Sequence, residues 1–466
     1  MTAVLSIALA KVTIVAPKRS IDVALPENVV VAELLPYLLR HAGEEVPDEG
    51  ERHGGWALRR PTGDTVDSRQ TLAAQRVLDG EVLYLVPGRV EWPELEYDDL
   101  VEAIASGARR YGRSWDRAAT RLAGLAICAA VLVSGTVVTL LFRPPWSGPG
   151  LIMLAAAFVL AAIGVIVART VPDAQAGAVF AGSSLPYAFL GGYLLTGPQH
   201  AGLLALGGPQ LMLGATSLVV FGLLGYVGVG GFGRVFVAAV HVGLLGLLGG
   251  LFAAAMDPDA AASLVLTVGI ALLPVYPLLA ARSGRLPLPA LPQRPAELLE
   301  DTPSPPTSSV FAAAVRTDEI LSGLLLGLSI VSVVCGVYLA AHGGVSRLIM
   351  LACVAFALLL RARLFPVPRQ RIPLLVAGIL AVTVLATSLA AAVSGNGGLV
   401  GVLLLVGLVA VGAAAVGMTY SRTNPSPYLG RVADIVDVLV ILALIPFTCY
   451  ITGFFGYVQG LMASIG

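Results

Sequence analysis

The sequence predicts a chain of two parts: a small α+β domain, then an α-helical polytopic membrane domain of eleven transmembrane helices. Three observations carry this reading. Of 466 residues, 57% are hydrophobic and 12% charged, with a mean hydropathy of +0.85, whereas soluble domains are about 25% charged. Residues 122–142 form an uncharged run of twenty-one, enough at about 1.5 Å per residue to cross a hydrocarbon core about 30 Å thick. Arg109, Arg110, Arg113, Arg117 and Arg121 stand just before that run, and a basic flank beside a first span stays on the cytoplasmic side.

Residues 1–90 read as a cytoplasmic domain. Residues 11–26 hold two β-branched runs around a turn at 17–20, a hairpin signal. In residues 29–41, Val31, Leu34, Leu35, Leu38 and Leu39 fall at helical spacing. Pro36 lies inside, so that helix is expected to kink or to begin late. Residues 56–60 alternate apolar and polar, 61–64 form a turn, 71–74 a short helical turn, and Asp79 with Gly80 leads into a strand over 81–86. The order β-β-α-β-β in under ninety residues is that of a β-grasp, ubiquitin-like domain. It has no cysteine and no terminal Gly-Gly, which excludes conjugation and leaves protein binding. Lys18, Arg19, Arg40, Arg59 and Arg60 form either a basic face for an acidic partner or an ordinary solvated surface. The apolar start, residues 1–10, is too short for a signal peptide. Residues 91–120 then make a cytoplasmic linker, acidic at 91–99 and basic next to the membrane.

The membrane domain is 121–466. After 122–142 the spans are 151–168, 177–195, 208–229, 235–256, 260–281, 320–341, 348–360, 372–393, 397–418 and 432–456. An odd number places the C-terminus on the periplasmic side. On the inner side after the first span lie Arg169, Arg234, Arg282, Arg285, Arg294, Arg316, Arg361, Arg363, Arg369, Arg371, Arg422 and Arg431; the outer side has only Arg143 and Arg347. So lopsided a split supports both count and orientation. The inner loop 282–317 carries seven prolines between Pro287 and Pro306; it is either a docking arm or a passive linker.

Chemistry is sparse. Residues 228–233 read GVGGFG, but the motif joins two spans and lacks the strand and the acid a dinucleotide site needs, so it reads as a tight turn. The middles of the spans carry no Asp, Glu, Lys or Arg, the groups that proton-coupled pumps place there. Asp318, Glu319, Asp434 and Asp437 are expected at inner helix starts, where the helix dipole favours acids. His241 is the one titratable ring inside a span: a hydrogen-bonded packing residue or a proton relay. Cys128, Cys335, Cys353 and Cys449 fall in spans without metal spacing. The sequence thus implies no enzyme, no cofactor, no metal and no nucleic acid. Gly246/Gly250, Gly323/Gly327 and Gly456/Gly460 are GxxxG pairs suited to close helix packing, and Pro186, Pro274, Pro277 and Pro446 would kink their helices.

Particular residues resemble a known family. DVALP at 22–26, ELLP at 33–36, and residues 56–87 with Trp56, Gly63, Thr71, Leu72, Asp79, Gly80, Leu83, Tyr84 and Leu85 resemble the start of EccD proteins. These are the multi-spanning core components of the mycobacterial type VII (ESX) secretion system, with a ubiquitin-like domain before eleven spans. The resemblance implies a scaffold in the inner membrane with EccB, EccE and the ATPase EccC as partners. It also implies a second copy in each protomer, a lipid-filled cavity, and a ubiquitin-like domain that holds the cytoplasmic parts of its partners. Among paralogues the sequence leans to the system linked to iron and zinc acquisition. The competing readings are a stand-alone permease of small solutes and a ubiquitin-like sensor anchored by the membrane part.

Overall fold

The computed structural model describes residues 9–16, 20–42, 55–61, 64–87, 115–139, 141–198, 207–287, 306–393, 395–422 and 426–465. The chain divides into two compact units, Met1–Ser114 and Trp115–Gly466.

In the first unit, alternation builds the sheet. In β1 (Leu9–Val15), Ala10, Val12 and Ile14 point inward while Leu9 and Lys11 point out. Its partners are β2 (Ser20–Pro26), antiparallel with Val12 opposite Val23, and β5 (Val82–Pro87), parallel with Ile14 opposite Leu83. Next come β3 (Trp56–Arg59), antiparallel to β5, and the two-residue edge strand β4 (Thr65–Val66). The order is β2-β1-β5-β3-β4. Helix α1 (Val31–Ala42) buries Val31, Leu34, Leu38 and Ala42 against one face, where Ile14, Leu25, Leu58, Leu72 and Leu83 complete the core.

Pro36 neither delays α1 nor breaks it. Pro36 and Ala32, whose carbonyl loses its helical donor, are both exposed residues of α1, where water can replace the lost bond. The short helical turn expected at 71–74 is present as a single turn closed by the Gln75 N–H donating to the Thr71 carbonyl at 3.3 Å; it is pinned by the fully buried Leu72 and the Val30–Thr71 bridge.

The second unit contains eleven helices long and apolar enough to cross a membrane, among the described residues. They are α2 (Arg117–Thr139), α3 (Ser147–Thr170), α4 (Ala174–Leu195), α5 (Gly208–Val229), α6 (Gly233–Ala253) and the broken span Pro258–Ser283. After these come α9 (Thr307–Ala341), α10 (Val345–Ala362), α11 (Pro368–Ala392), α12 (Asn396–Tyr420) and α13 (Pro427–Ile451), with a short α14 (Phe454–Ile465) at the end. The broken span consists of α7 (Pro258–Leu272), a 3-10 turn at Leu273–Val275, and α8 (Tyr276–Ser283). Pro274 and Pro277 lack the donors an α-helix needs there, so the break falls where proline predicts. Pro186 and Pro446 instead sit inside unbroken helices.

Three expectations are corrected by helix length. The inner loop ends sooner than residue 317, because α9 already begins at Thr307; residues 288–305 lie outside the described ones. Asp318 and Glu319 are consequently three turns inside α9, and Asp434 and Asp437 are inside α13, so none of them caps a helix start. The last span ends at Ile451 rather than running to 456, where Gly453 adopts φ +73° and separates α14.

Helices α3, α4, α5 and α6 pack each on the next in chain order, while α9 touches α6, α7, α8, α10 and α11. Helix α9 is the centre: 61% of its apolar window is buried, against 0% for α12. The core around it includes Leu266, Ile270, Leu325, Leu328, Met350, Val354, Leu358 and Leu374.

Candidate functional site

The sequence offered three sets of residues, and the structure treats them differently. Among the basic residues of the first unit, Arg40 lies on the outer side of α1. Arg59 points the other way, because its neighbour Leu58 faces the core. Arg60 is engaged at home: Nε pairs with Glu81 at 2.8 Å and Nη2 donates to the Gln75 carbonyl at 2.7 Å. Arg40, Arg59 and Arg60 therefore make no single basic face, and Lys18 and Arg19 lie outside the described residues. What the sequence reading missed is the sheet face opposite α1, where Tyr84 sits between Val15 and Arg59 in register and stays exposed. Period-two alternation in β1, β3 and β5 was the signal that could have found it.

Of the juxtamembrane arginines, Arg109, Arg110 and Arg113 lie outside the described residues. Arg117 opens α2 and is exposed. Arg121 donates from Nη2 to Asp173 at 2.6 Å, and Asp173 also caps α4 by accepting from the Ala176 N–H at 3.0 Å. The Ala176 bond first, and then the Arg121 guanidinium, hold the Asp173 carboxyl below its usual 3.8. A lowered folded value stabilises above the unfolded pKa and is lost as pH falls through the lower one. The expected result is that the link between α2 and α4 persists at neutral pH and releases only below pH 3.8. Amide exchange at Ala176 followed from pH 6 to about 3 checks this, and protection lost near neutrality would contradict it.

At other helix ends, polar groups tie the helices to each other. Arg169 of α3 donates to the Val227 and Gly228 carbonyls at the end of α5, each at 2.8 Å. It thereby satisfies acceptors that a helix terminus leaves open. The GVGGFG segment is the tight turn expected, with Gly230 at φ +69° and Phe232 at φ +53°. Glu319 accepts from the backbone N–H of Arg234 at 2.8 Å, and Asp318 from the Gln370 side chain at 2.7 Å. A buried latch lies between α10 and α13. Arg361 Nε stands 3.3 Å from Asp437 Oδ1 and 3.1 Å from its Oδ2, with both side chains about nine-tenths buried. Arg363 reinforces it by pairing with Asp434 and donating to the Gly430 carbonyl. His241 is buried and shares a hydrogen bond of 2.9 Å with the Tyr276 hydroxyl, at the point where the sixth span breaks.

The glycine pairs divide in the same manner. A Cβ on Gly250 would lie 2.9 Å from the Gly208 carbonyl oxygen and 3.0 Å from the Met212 nitrogen, so α6 rides directly on α5 there. Gly246 faces the Ala215 methyl at 3.1 Å. Gly323 and Gly327 seat α9 on α6: a Cβ on them would lie 2.7 Å from the Arg234 carbonyl and 2.9 Å from the Ala238 carbonyl. Gly456 and Gly460 meet nothing within 4 Å. A further close seam carries no GxxxG motif. On α3 and α4, Gly164 faces Gly177 and Gly150 faces Gly191, each glycine within about van der Waals reach of the other's carbonyl. Because these pairs join two different helices, no GxxxG spacing reveals them.

Among the described residues no three His, Cys, Asp or Glu gather to hold a metal. The site is thus a set of seams and latches that fix helices to one another, beside apolar surfaces that one copy leaves uncovered. A family model described as the EccD-like transmembrane domain matches residues 120–461, which includes the latches and the glycine seams. The chain belongs to the EccD family. A second model, for YukD of the WXG100 protein secretion system, matches residues 9–85, the sheet and its helix. The EccD4 protein of the ESX-4 secretion system from Mycobacterium tuberculosis, in strains CDC 1551 / Oshkosh and ATCC 25618 / H37Rv, is 28% identical over 475 residues; the match takes in 97% of either chain. Among solved structures, protomer 1 of the ESX-3 core complex superposes with a TM-score of 0.57 at 20% identity, over 96% of this chain and 100% of that one. A MycP5-free ESX-5 inner membrane complex gives 0.55 at 23% identity, over 88% and 99%. These two likenesses speak for the fold. The relatives are named for ESX-4, ESX-3 and ESX-5, so similarity singles out no paralogous system for this EccD-family chain.

Proposed function

We propose that this chain is the scaffold of a type VII secretion machine: a multi-pass inner-membrane subunit whose role is to hold other subunits in position. It is a structural membrane subunit of the secretion system, as its family membership implies. The observation that carries it is the contrast between α9, buried at the centre, and α12, an apolar helix with none of its apolar window buried by the described residues. A permease would bury its spans around a path. A scaffold leaves apolar surfaces for lipid and for other chains. The partners proposed are subunits of the EccB, EccC and EccE types, with EccC supplying ATP hydrolysis, and a second copy of this chain. The first unit docks their cytoplasmic parts. The N-terminus lies in the cytoplasm and the C-terminus in the periplasm, as the arginine distribution requires.

Extraction of the tagged full chain in mild detergent, followed by mass spectrometry, tests the assembly. The expected product is a large complex containing an ATPase, and deletion of the chain stops secretion. Recovery of this chain alone, or solute flux driven by it in liposomes, would overturn the reading. Labelling of cysteines placed at the two termini tests the orientation, with the C-terminal one alone reacting from outside.

A further inference from the structure

The sheet of the first unit ends in β2 on one side and β4 on the other. Strand β4 is two residues long, whereas β2 runs for seven, Ser20–Pro26. Proteins blunt a long edge with lysines, prolines or bulges, because its unpaired backbone groups invite another strand. Strand β2 has no basic residue, and its one proline, Pro26, is its last residue.

The register shows which groups of that edge are open. Thr13 donates its N–H to the Glu81 carbonyl at 3.0 Å, and the Lys11 carbonyl accepts from the Gly80 N–H at 2.7 Å, so the odd-numbered residues of β1 bond towards β5. Ala10, Val12 and Ile14 therefore bond to β2, and their partners Leu25, Val23 and Ile21 turn N–H and carbonyl inward. Asp22, Ala24 and Pro26 turn theirs outward. Pro26 has no N–H, and its carbonyl accepts from the Val29 N–H at 3.4 Å. Both backbone groups of Asp22 and of Ala24 are left without a backbone partner among the described residues, and both residues are exposed. On the α1 side of the same edge, Ile21 and Val23 pack on the core yet stay half-buried.

These features fix the class of occupant. Open donors and acceptors on alternate residues match one extended strand. Beside Ile21 and Val23 the inward side chains of that strand have to be apolar. On the other face stands the Asp22 carboxylate, which accepts from Thr13 Oγ1 at 2.6 Å, and a basic side chain on the added strand sits across from it. A second copy of β2 fits less well: it brings no cation, and pairing through Asp22 and Ala24 puts two Asp22 carboxylates on one face. The acidic stretch 91–99 of this chain brings like charge too. We propose that β2 takes up one extended segment of a partner subunit by strand addition. The segment bonds to the backbone of Asp22 and Ala24, lays apolar residues at alternate positions against Ile21 and Val23, and places a Lys or Arg beside Asp22. Strand addition here presupposes that the first unit docks other subunits, as proposed above.

The test is amide hydrogen exchange, read residue by residue by fragmentation mass spectrometry. It compares the complex extracted in mild detergent with the full chain purified alone and dilute. The Asp22 and Ala24 amides are expected to exchange at least about tenfold more slowly in the complex, while Val23, bonded to β1, is protected in both. Ala24→Pro removes one outward N–H, at a position equivalent to that of Pro26 on the same edge. In the complex of that variant the Asp22 amide should exchange as in the lone chain, with Val23 still protected, which shows that β2 has kept its fold. Asp22→Lys, which reverses the charge offered to the segment, should lower the protection of Ala24. Unchanged protection of Ala24 in that variant overturns the basic character of the segment. Equal exchange of Asp22 and Ala24 in complex and lone chain overturns the proposal, and with the ATPase present in the complex it leaves the scaffold reading standing. Protection in the lone chain at every dilution marks a segment of the same chain on the edge, and protection that grows with concentration marks a second copy; either overturns the proposal. Recovery of no complex at all overturns both readings.

Discussion

Replacing Gly164 with leucine is expected to prevent recovery of the folded membrane unit. The added Cβ would meet the Ala181 nitrogen at 2.6 Å and the Gly177 carbonyl oxygen at 2.7 Å. Both are backbone atoms, so no side chain can swing aside, and α3 must leave α4. Contact would also be lost at the far end of the seam, where a Cβ on Gly150 would lie 2.8 Å from the Leu195 nitrogen. Overpacking a soluble core costs about 1–3 kcal/mol. Between membrane helices the figure moves to the upper end or beyond, about 3 kcal/mol or more, because lipid is as apolar as leucine and only close packing holds the pair. Size-exclusion profiles and thermal unfolding in detergent read the effect. Gly407→Leu in α12 and Gly456→Leu in α14 are the controls, since nothing lies within 4 Å of either glycine, and both should fold as wild type. A well-folded Gly164→Leu chain would show that α3 and α4 do not pack through this seam.

The second large effect is expected from the buried pair of α10 and α13. Arg361→Ala leaves the Asp437 carboxylate about nine-tenths buried without its partner, and Asp437→Ala strands the guanidinium in the same way. Each single change should destabilise by about 3–5 kcal/mol, most of it the penalty of an uncompensated charge rather than the worth of the pair. Changing both to leucine should recover much of the loss, because the two charges no longer need each other. Unfolding midpoints of wild type, the two single variants and the double leucine variant check this. The neighbouring pair, Arg363 with Asp434, is more exposed on its acidic side, and Asp434→Ala should cost under about 1 kcal/mol. If Arg361→Ala proved as mild as Asp434→Ala, the pair would have to be solvated in the membrane.

Much of this architecture was legible because the membrane simplifies the physics. A span must be long, apolar and helical, so hydropathy alone located eleven of them, and arginine bias supplied an orientation. The sheet was legible because one buried face forces period-two alternation in β1, and the hairpin and the parallel pairing of β1 with β5 follow from that pattern and the connections. Helix ends were not legible. Residues 307–319 of α9 extend its apolar stretch without caps or breaks that composition marks, so Asp318 looked like a helix start when it is a mid-helix partner of Gln370.

Which residues meet was decided by the tertiary structure alone. Gly164 and Gly177, Arg361 and Asp437, and Arg121 and Asp173 stand far apart or on different helices in the sequence. Their pairing depends on the azimuth and depth at which helices dock, and that is set by summed van der Waals contact, not by any local pattern. The sequence by itself determined the number of long apolar helices and the β-grasp head, because burial in lipid or against a sheet leaves a periodic trace along the chain. Only the folded molecule decided which glycines are seams and which arginines are latches, because those are relations between distant segments with no periodic trace.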